Sequence, residues 1–352
     1  MPQETMTPRE RWQAVLSRRQ PDRVPMDFWA TGETTGKLMQ RLGCAAEFDL
    51  MKRLKIDRPV AVGPKYVGPP TPPHTDIYGI GYRDVNYGTG SYDEAVSFPL
   101  AKFKTVGEIG SNYTWPSPDW WDYSGIPAQL KGLEEYPVNG GGSEPFLLYK
   151  NLRGGEQALI DLVENPEIVE YCLEKLFDLA YINTLRIYES IPGKVTYSYV
   201  AEDLGGQNDL MMSPRHIRRF LFPGMKRMIE LIHSAGITVF HHDDGNVSRI
   251  LPELIELGID LLNPIQWRAA GMERETLKAN YGNRLIFHGA VDNQYTLPFG
   301  TVDEVRQEVR DNLRILGAGG GYILAPCHNI QPNTPLENIL ALYEEGYASG
   351  WC

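Results

Sequence analysis

Short apolar runs alternate with stretches of helical periodicity through most of the chain. The runs predict strands near residues 23–28, 57–62, 145–149, 195–200, 237–241, 259–263, 284–288 and 321–325, most of them followed by a helix. Helix starts recur between them. Thr7-Pro8-Arg9-Glu10 has the spacing of a capping box with proline at the first helical position, and opens a helix to about Arg18. Thr301-Val302-Asp303-Glu304 and Thr334-Pro335-Leu336-Glu337 repeat the pattern. Ser213-Pro214 opens another helix, apolar at Ile217, Phe220, Leu221, Met225 and Met228. Alternating strand and helix implies a parallel sheet, and eight such units in 352 residues favour an α/β fold of the closed (β/α)8 TIM-barrel type over an open doubly wound sheet. Gly140-Gly141-Gly142 lacks the spacing of a dinucleotide-binding turn.

Residues 64–140 break the rhythm. Gly68-Pro69-Pro70-Thr71-Pro72-Pro73 reads as an extended surface loop. Asp76–Tyr82 and Ala95–Phe98 read as a two-stranded ribbon joined across Asn86-Tyr87-Gly88. We take this region as an insertion over the barrel mouth within one domain spanning 1–352.

The predicted strands end in polar residues that a strand interior does not require. Residues 237–240 run into His241-His242-Asp243-Asp244-Gly245-Asn246, residues 284–287 into His288-Gly289-Ala290-Val291-Asp292, and residues 321–325 into Pro326-Cys327-His328-Asn329. In a parallel barrel those ends share one rim, where catalytic groups gather. His242 and Asp244, spaced i, i+2, can face the same side, and with Cys327 they form a donor set acceptable to zinc. The competing reading makes the same residues strand-end and turn polarity, since Asp-Gly-Asn is also good turn and N-cap chemistry. Glu202 and Asp203 follow the fourth predicted strand and, with Asp292, are candidate acid–base groups. Trp29, Gln207, Gln266, Trp267 and His288 are candidate substrate contacts on the same rim. Taken singly, each of these has a structural role as the simpler reading.

Composition narrows the field. A net charge of −11 argues against a phosphate-backbone partner, which needs a basic surface. No apolar run reaches the roughly 20 residues of a bilayer span, and the N-terminus lacks the order of a signal peptide. Four scattered cysteines make no disulfide framework, so a reducing cytoplasm is expected. Seven Trp and nineteen Tyr are enough to fill a core and still line a pocket for a flat ligand.

Several short motifs, in order, carry a resemblance. They include Pro21-Asp22-Arg23-Val24-Pro25, Asp76-Ile77-Tyr78-Gly79, Ala201-Glu202-Asp203-Leu204-Gly205, His242-Asp243-Asp244-Gly245-Asn246, Asn263-Pro264-Ile265-Gln266 and His288-Gly289-Ala290-Val291-Asp292. With these the chain resembles the uroporphyrinogen decarboxylase superfamily, and within it the methyltransferase-like branch. The resemblance implies a (β/α)8 barrel and a homodimer. True decarboxylases of the family carry a Met-Arg-Gln-Ala-Gly-Arg stretch that meets the porphyrinogen carboxylates. Here Met26-Asp27-Phe28-Trp29-Ala30-Thr31-Gly32 stands in its place and has no arginine. Paired Arg–carboxylate contacts are hard to replace, so uroporphyrinogen itself is disfavoured as a substrate.

The methyltransferase branch moves methyl groups between a small molecule and a corrinoid (a cobalamin-type cofactor) on a partner protein, using zinc held by a His-x-Cys pair and a later Cys. This chain keeps His242 and Cys327 but has Asp244 at the first Cys position, a harder donor better suited to activating an ether oxygen than a thiol. The expectation is a methyltransferase with O-demethylation of a small, possibly methoxylated aromatic donor. A decarboxylase of a small carboxylic acid and a non-catalytic binding homologue are the alternatives.

Overall fold

In the computed structural model, residues 3–352 are described. Seven strands form one sheet: β1 (Val60–Val62), β2 (Val138–Ser143), β3 (Tyr197–Val200), β4 (Thr238–His242), β5 (Leu261–Asn263), β6 (Ile286–Val291) and β7 (Tyr322–Pro326). Their order in the sheet is their order in the chain, and every neighbouring pair is parallel. Each crossover after β2 carries at least one helix, the arrangement that a parallel sheet demands. The stretch before β1 meets both edges. Leu324 N–H donates to the Pro25 carbonyl at 2.9 Å and Asp27 N–H to the Leu324 carbonyl at 2.9 Å, while Asp57 N–H donates to the Met26 carbonyl at 2.7 Å. The sheet therefore curls until its two edges face a common strip of chain.

Three sequence expectations are corrected. The apolar run 145–149 is not a strand. It lies in the helix Pro145–Arg153, where Pro145 occupies the first turn, and the strand sits upstream at Val138–Ser143. Glycines at 140–142 hid it, because glycine is a poor strand former. Gly141 and Gly142 adopt φ of +75° and +136°, and the β2–β3 register shifts between Asn139 and Gly142. The second correction concerns Thr334. Thr7 and Thr301 both make the expected capping boxes, but the helix Leu336–Ser349 begins at Pro335 without a side-chain cap. Thr334 instead donates its N–H to the Gln331 carbonyl in a preceding turn. The helix expected after Ser213 is divided at Leu221 into Pro214–Phe220 and Phe222–Ser234.

The region between β1 and β2 holds an antiparallel ribbon, Gly81–Asn86 with Ser91–Ser97, and a shorter pairing of Lys65–Tyr66 with Trp121–Asp122. Among the described residues no helix is long and apolar enough to cross a membrane.

The concave face of the sheet is layered by strand parity. Tyr197, Phe240, Leu261, Ile286 and Ile323 form an apolar layer, sealed by Trp12 and Val15 from the helix Pro8–Leu16. The Trp12 and Tyr197 rings stack at 5.5 Å. Two residues further along β4, β5 and β6 the same parity presents His242, Asn263 and His288. An apolar floor thus carries a polar layer at the carboxyl end of the strands.

Candidate active site

At that end the structure gathers Asp203, His242 and Asp244. One ligand-capable atom from each lies within 4.8 Å of the other two. His242 Nε2 is 3.9 Å from Asp203 Oδ1, a buried oxygen with no hydrogen-bond partner. Gln266 Nε2 donates to Asp244 Oδ1 at 2.8 Å while its own oxygen accepts the Gly245 N–H at 2.9 Å, so Gln266 aims Asp244. Burial pushes the Asp244 carboxyl above its ordinary value, against the pull of the His242 and His328 imidazoles, and Asp203 and Asp243 add to the rise. Two carboxyl groups crowded beside an imidazole, one with an orphaned oxygen, are a donor set that a divalent cation would satisfy.

A cavity of about 620 Å³ opens beside His242. Its walls include Trp29, Tyr78, Trp121, Leu148, Leu176 and Tyr199, from the chain before β1, the insertion, the helices Pro145–Arg153 and Pro166–Ser190, and β3. Among the described residues no Lys or Arg lines it. Glu144, directly after β2, also lines it. Burial pushes the Glu144 carboxyl up, Asp203 adds to the rise, and His242 opposes it.

Other candidates lie elsewhere. Cys327 Sγ donates to the Ile265 carbonyl at 3.2 Å in a buried position, and burial pushes its thiol well above the usual range. It is not part of the Asp203–His242–Asp244 group. Asp292 caps the turn after β6, accepting the N–H groups of Gln294, Tyr295 and Thr296 and the Arg268 guanidinium. Glu202 is fully buried. One carboxylate oxygen accepts the Phe146 N–H at 3.1 Å and the other has no partner. Burial holds that carboxyl well above its ordinary value against this hydrogen bond. The Arg268 and Arg274 guanidinium groups both lie over the Trp267 ring, whose N–H donates to the Ala290 carbonyl, and Trp267 is not in the cavity wall. Gln207 is exposed on the loop after β3. His288 is fully buried with both ring nitrogens bonded, to Asn263 Nδ2 at 2.7 Å and Asp27 Oδ2 at 3.0 Å. Sequence reasoning missed Glu144 because the strand was placed after it. It also passed over His328, whose Nε2 is 3.8 Å from Asp244 Oδ2.

The family model described as Uroporphyrinogen decarboxylase (URO-D) matches residues 128–347. The chain belongs to this family. Its relatives include the uroporphyrinogen decarboxylase of Thermus thermophilus, 27% identical over 60% of this chain and 55% of that protein. They also include the methylcobamide:CoM methyltransferase MtaA of Methanosarcina barkeri, 25% identical over 62% of each chain. The match thus spans less than two thirds of the length of these family members. A methyltransferase from Methanosarcina mazei has the same fold over 97% of this chain and 99% of its own, with a TM-score of 0.69 at 20% identity. The family therefore offers two chemistries on one architecture, and the local site must decide between them.

Proposed function

We propose that this chain is a methyltransferase that takes a methyl group from a small, uncharged methyl ether, with a methoxylated aromatic as the favoured class. The observation that carries the reading is the cavity beside His242: aromatic and apolar walls, no Lys or Arg, and Glu144 and His242 as its lining carboxyl and imidazole. Flat apolar ligands are held by such walls, and a few polar groups then set orientation. Trp29 and Trp121 are proposed to hold the ring, and the apolar wall to exclude water.

Asp203, His242 and Asp244 fit a divalent ion, for which zinc with one open position is the proposed case. Bound there, zinc supplies Lewis acidity at the departing oxygen. Glu144, held toward its protonated form, is proposed to donate a hydrogen bond to the same oxygen, which leaves poorly unassisted. The acceptor is proposed to be a reduced corrinoid on a partner protein, since the cavity is sized for the donor and not for a macrocycle. The same reading takes residues 23–28 as the eighth stave of a (β/α)8 barrel with an inserted ribbon, in one domain that pairs as a cytoplasmic homodimer.

Decarboxylation of a small acid is the second reading, and kinship to decarboxylases favours it. Against it, Glu144, Asp203 and Asp244 crowd the site with no arginine to receive a substrate carboxylate. The test is anaerobic incubation of the purified protein with zinc, free cob(I)alamin and a panel of methoxybenzenes, methylamines and methyl thiols. Methylcobalamin formed from methoxybenzenes is the expected result. No transfer from any donor, with carbon dioxide released from a small acid, reverses the assignment.

A further inference from the structure

Behind His242 runs an unbroken chain of side-chain hydrogen bonds. His242 Nδ1 meets Asn263 Oδ1 at 2.6 Å, Asn263 Nδ2 meets His288 Nδ1 at 2.7 Å, and His288 Nε2 meets Asp27 Oδ2 at 3.0 Å. Asn263 and His288 are fully buried, and Asp27 is 1% exposed. The four residues come from β4, β5, β6 and the stretch that bridges the sheet edges, so only the curled sheet brings them into line.

The donor and acceptor roles propagate from the buried end. A carboxylate only accepts, so His288 must donate from Nε2. Burial alone would raise the Asp27 carboxyl, but the hydrogen bonds it accepts from His288, from the Phe28 N–H and from the Trp29 indole hold it below its ordinary value. Asp27 is therefore an anion. With its ring proton on Nε2, His288 has an accepting Nδ1, which takes a hydrogen bond from the Asn263 amide N–H. The Asn263 oxygen is left to accept from His242 Nδ1–H. His242 must then present a bare Nε2 lone pair toward Asp203. The same Asp27 oxygen accepts the Trp29 indole N–H at 2.9 Å, so one carboxylate also fixes an aromatic wall of the cavity.

We infer that Asp27, His288 and Asn263 are positioning residues that fix His242 in the tautomer with its Nε2 lone pair open to the site. The inference rests on the proposed role of His242, and it assigns His288 a task other than touching substrate. Chains of this kind hold metal-binding imidazoles in one tautomer and orientation elsewhere, and their removal typically weakens metal binding by roughly 10- to 100-fold.

Long-range proton–nitrogen correlation of the histidine-labelled, chelator-treated protein reads the tautomer directly, with His242 assigned by loss of its signals in His242→Gln. The expected result is a protonated Nδ1 and bare Nε2 on His242, with the opposite pattern on His288. Protonated Nε2 on His242 overturns the inference. In Asn263→Leu the tautomer preference should be lost and zinc affinity, measured by competition with a chromophoric chelator, should fall roughly 10- to 100-fold. Asn263→Asp keeps an acceptor for His242 Nδ1 and should restore the tautomer. An Asn263→Leu protein with wild-type zinc affinity and an unchanged tautomer also overturns it. A wild-type protein that binds no zinc defeats the metal reading of the previous subsection, and the tautomer measurement still decides the relay.

Discussion

His242 and Cys327 both follow apolar strand residues, and sequence alone treats them alike; their surroundings separate them. His242 opens onto a cavity beside two carboxyl groups, whereas the Cys327 sulfur is turned to the Ile265 carbonyl. His242→Ala and Asp244→Asn should each weaken zinc binding roughly tenfold or more, the loss seen when support of a metal ligand is removed being already of that size. Cys327→Ser should leave zinc stoichiometry, read by elemental analysis, unchanged.

Glu202 carries a pH signature. Its folded carboxyl holds a proton above the usual range, so between the unfolded value and the folded one the native state binds more protons than the unfolded chain. Stability from this group is present at low pH and is lost as pH rises through that window. Glu202→Gln should abolish the loss. The stability difference, wild type minus variant, should therefore decline with rising pH at up to about 1.4 kcal/mol per pH unit, measured by urea unfolding of the chelator-treated protein. A flat difference removes the assignment. Residue types exposed the rim in the sequence, but not which side chains turn inward: Asp292 looked like an acid–base group and is saturated as a turn cap.

At the scale of elements, β2 shows how a backbone sets a site. Gly142 has φ of +136°, and a Cβ there would stand 2.6 Å from the Tyr199 carbonyl oxygen. Gly142→Ala should cost roughly 1–3 kcal/mol, seen as a lower urea midpoint, and should impair turnover by moving Glu144, two residues on. Unchanged stability and activity would mean the kink is dispensable. This strand was illegible because its glycines suppress the apolar alternation by which strands are recognised, while the apolar residues 145–149 imitated one. β3 to β7 were legible because their burial makes them continuous apolar runs. The capping boxes at Thr7 and Thr301 were legible too, being local chemistry, whereas Thr334 lost its capping role to a neighbouring turn.

For the whole molecule, the seam beside β1 is held by buried charge. Asp57 accepts Arg11 Nη1 at 2.6 Å, Arg23 Nη1 at 2.7 Å and the Met26 N–H at 3.0 Å, with all three side chains nearly inaccessible. Asp57→Ala removes the carboxylate that two buried guanidinium groups share, leaving Arg11 with Asp22 and Arg23 with Glu4, and should destabilise by about 1–3 kcal/mol, read as a lower urea midpoint. A shift below about 1 kcal/mol would show that the strip 23–28 is held by packing instead. Nothing in local sequence announces such a contact, because it links residues 34 and 46 apart.

The cavity is walled on one side by strand ends and on the other by the insertion and the long helix Pro166–Ser190. On the proposed methyl-transfer reading, the groups that act on the departing oxygen and most of the wall that would select the guest therefore lie in separate parts of the polypeptide. Lineages that redraw Tyr78, Trp121 or Leu176 can try new donors while the imidazole and its carboxyl neighbours stay undisturbed, so a shared reaction can spread across many compounds by edits to the outer wall alone.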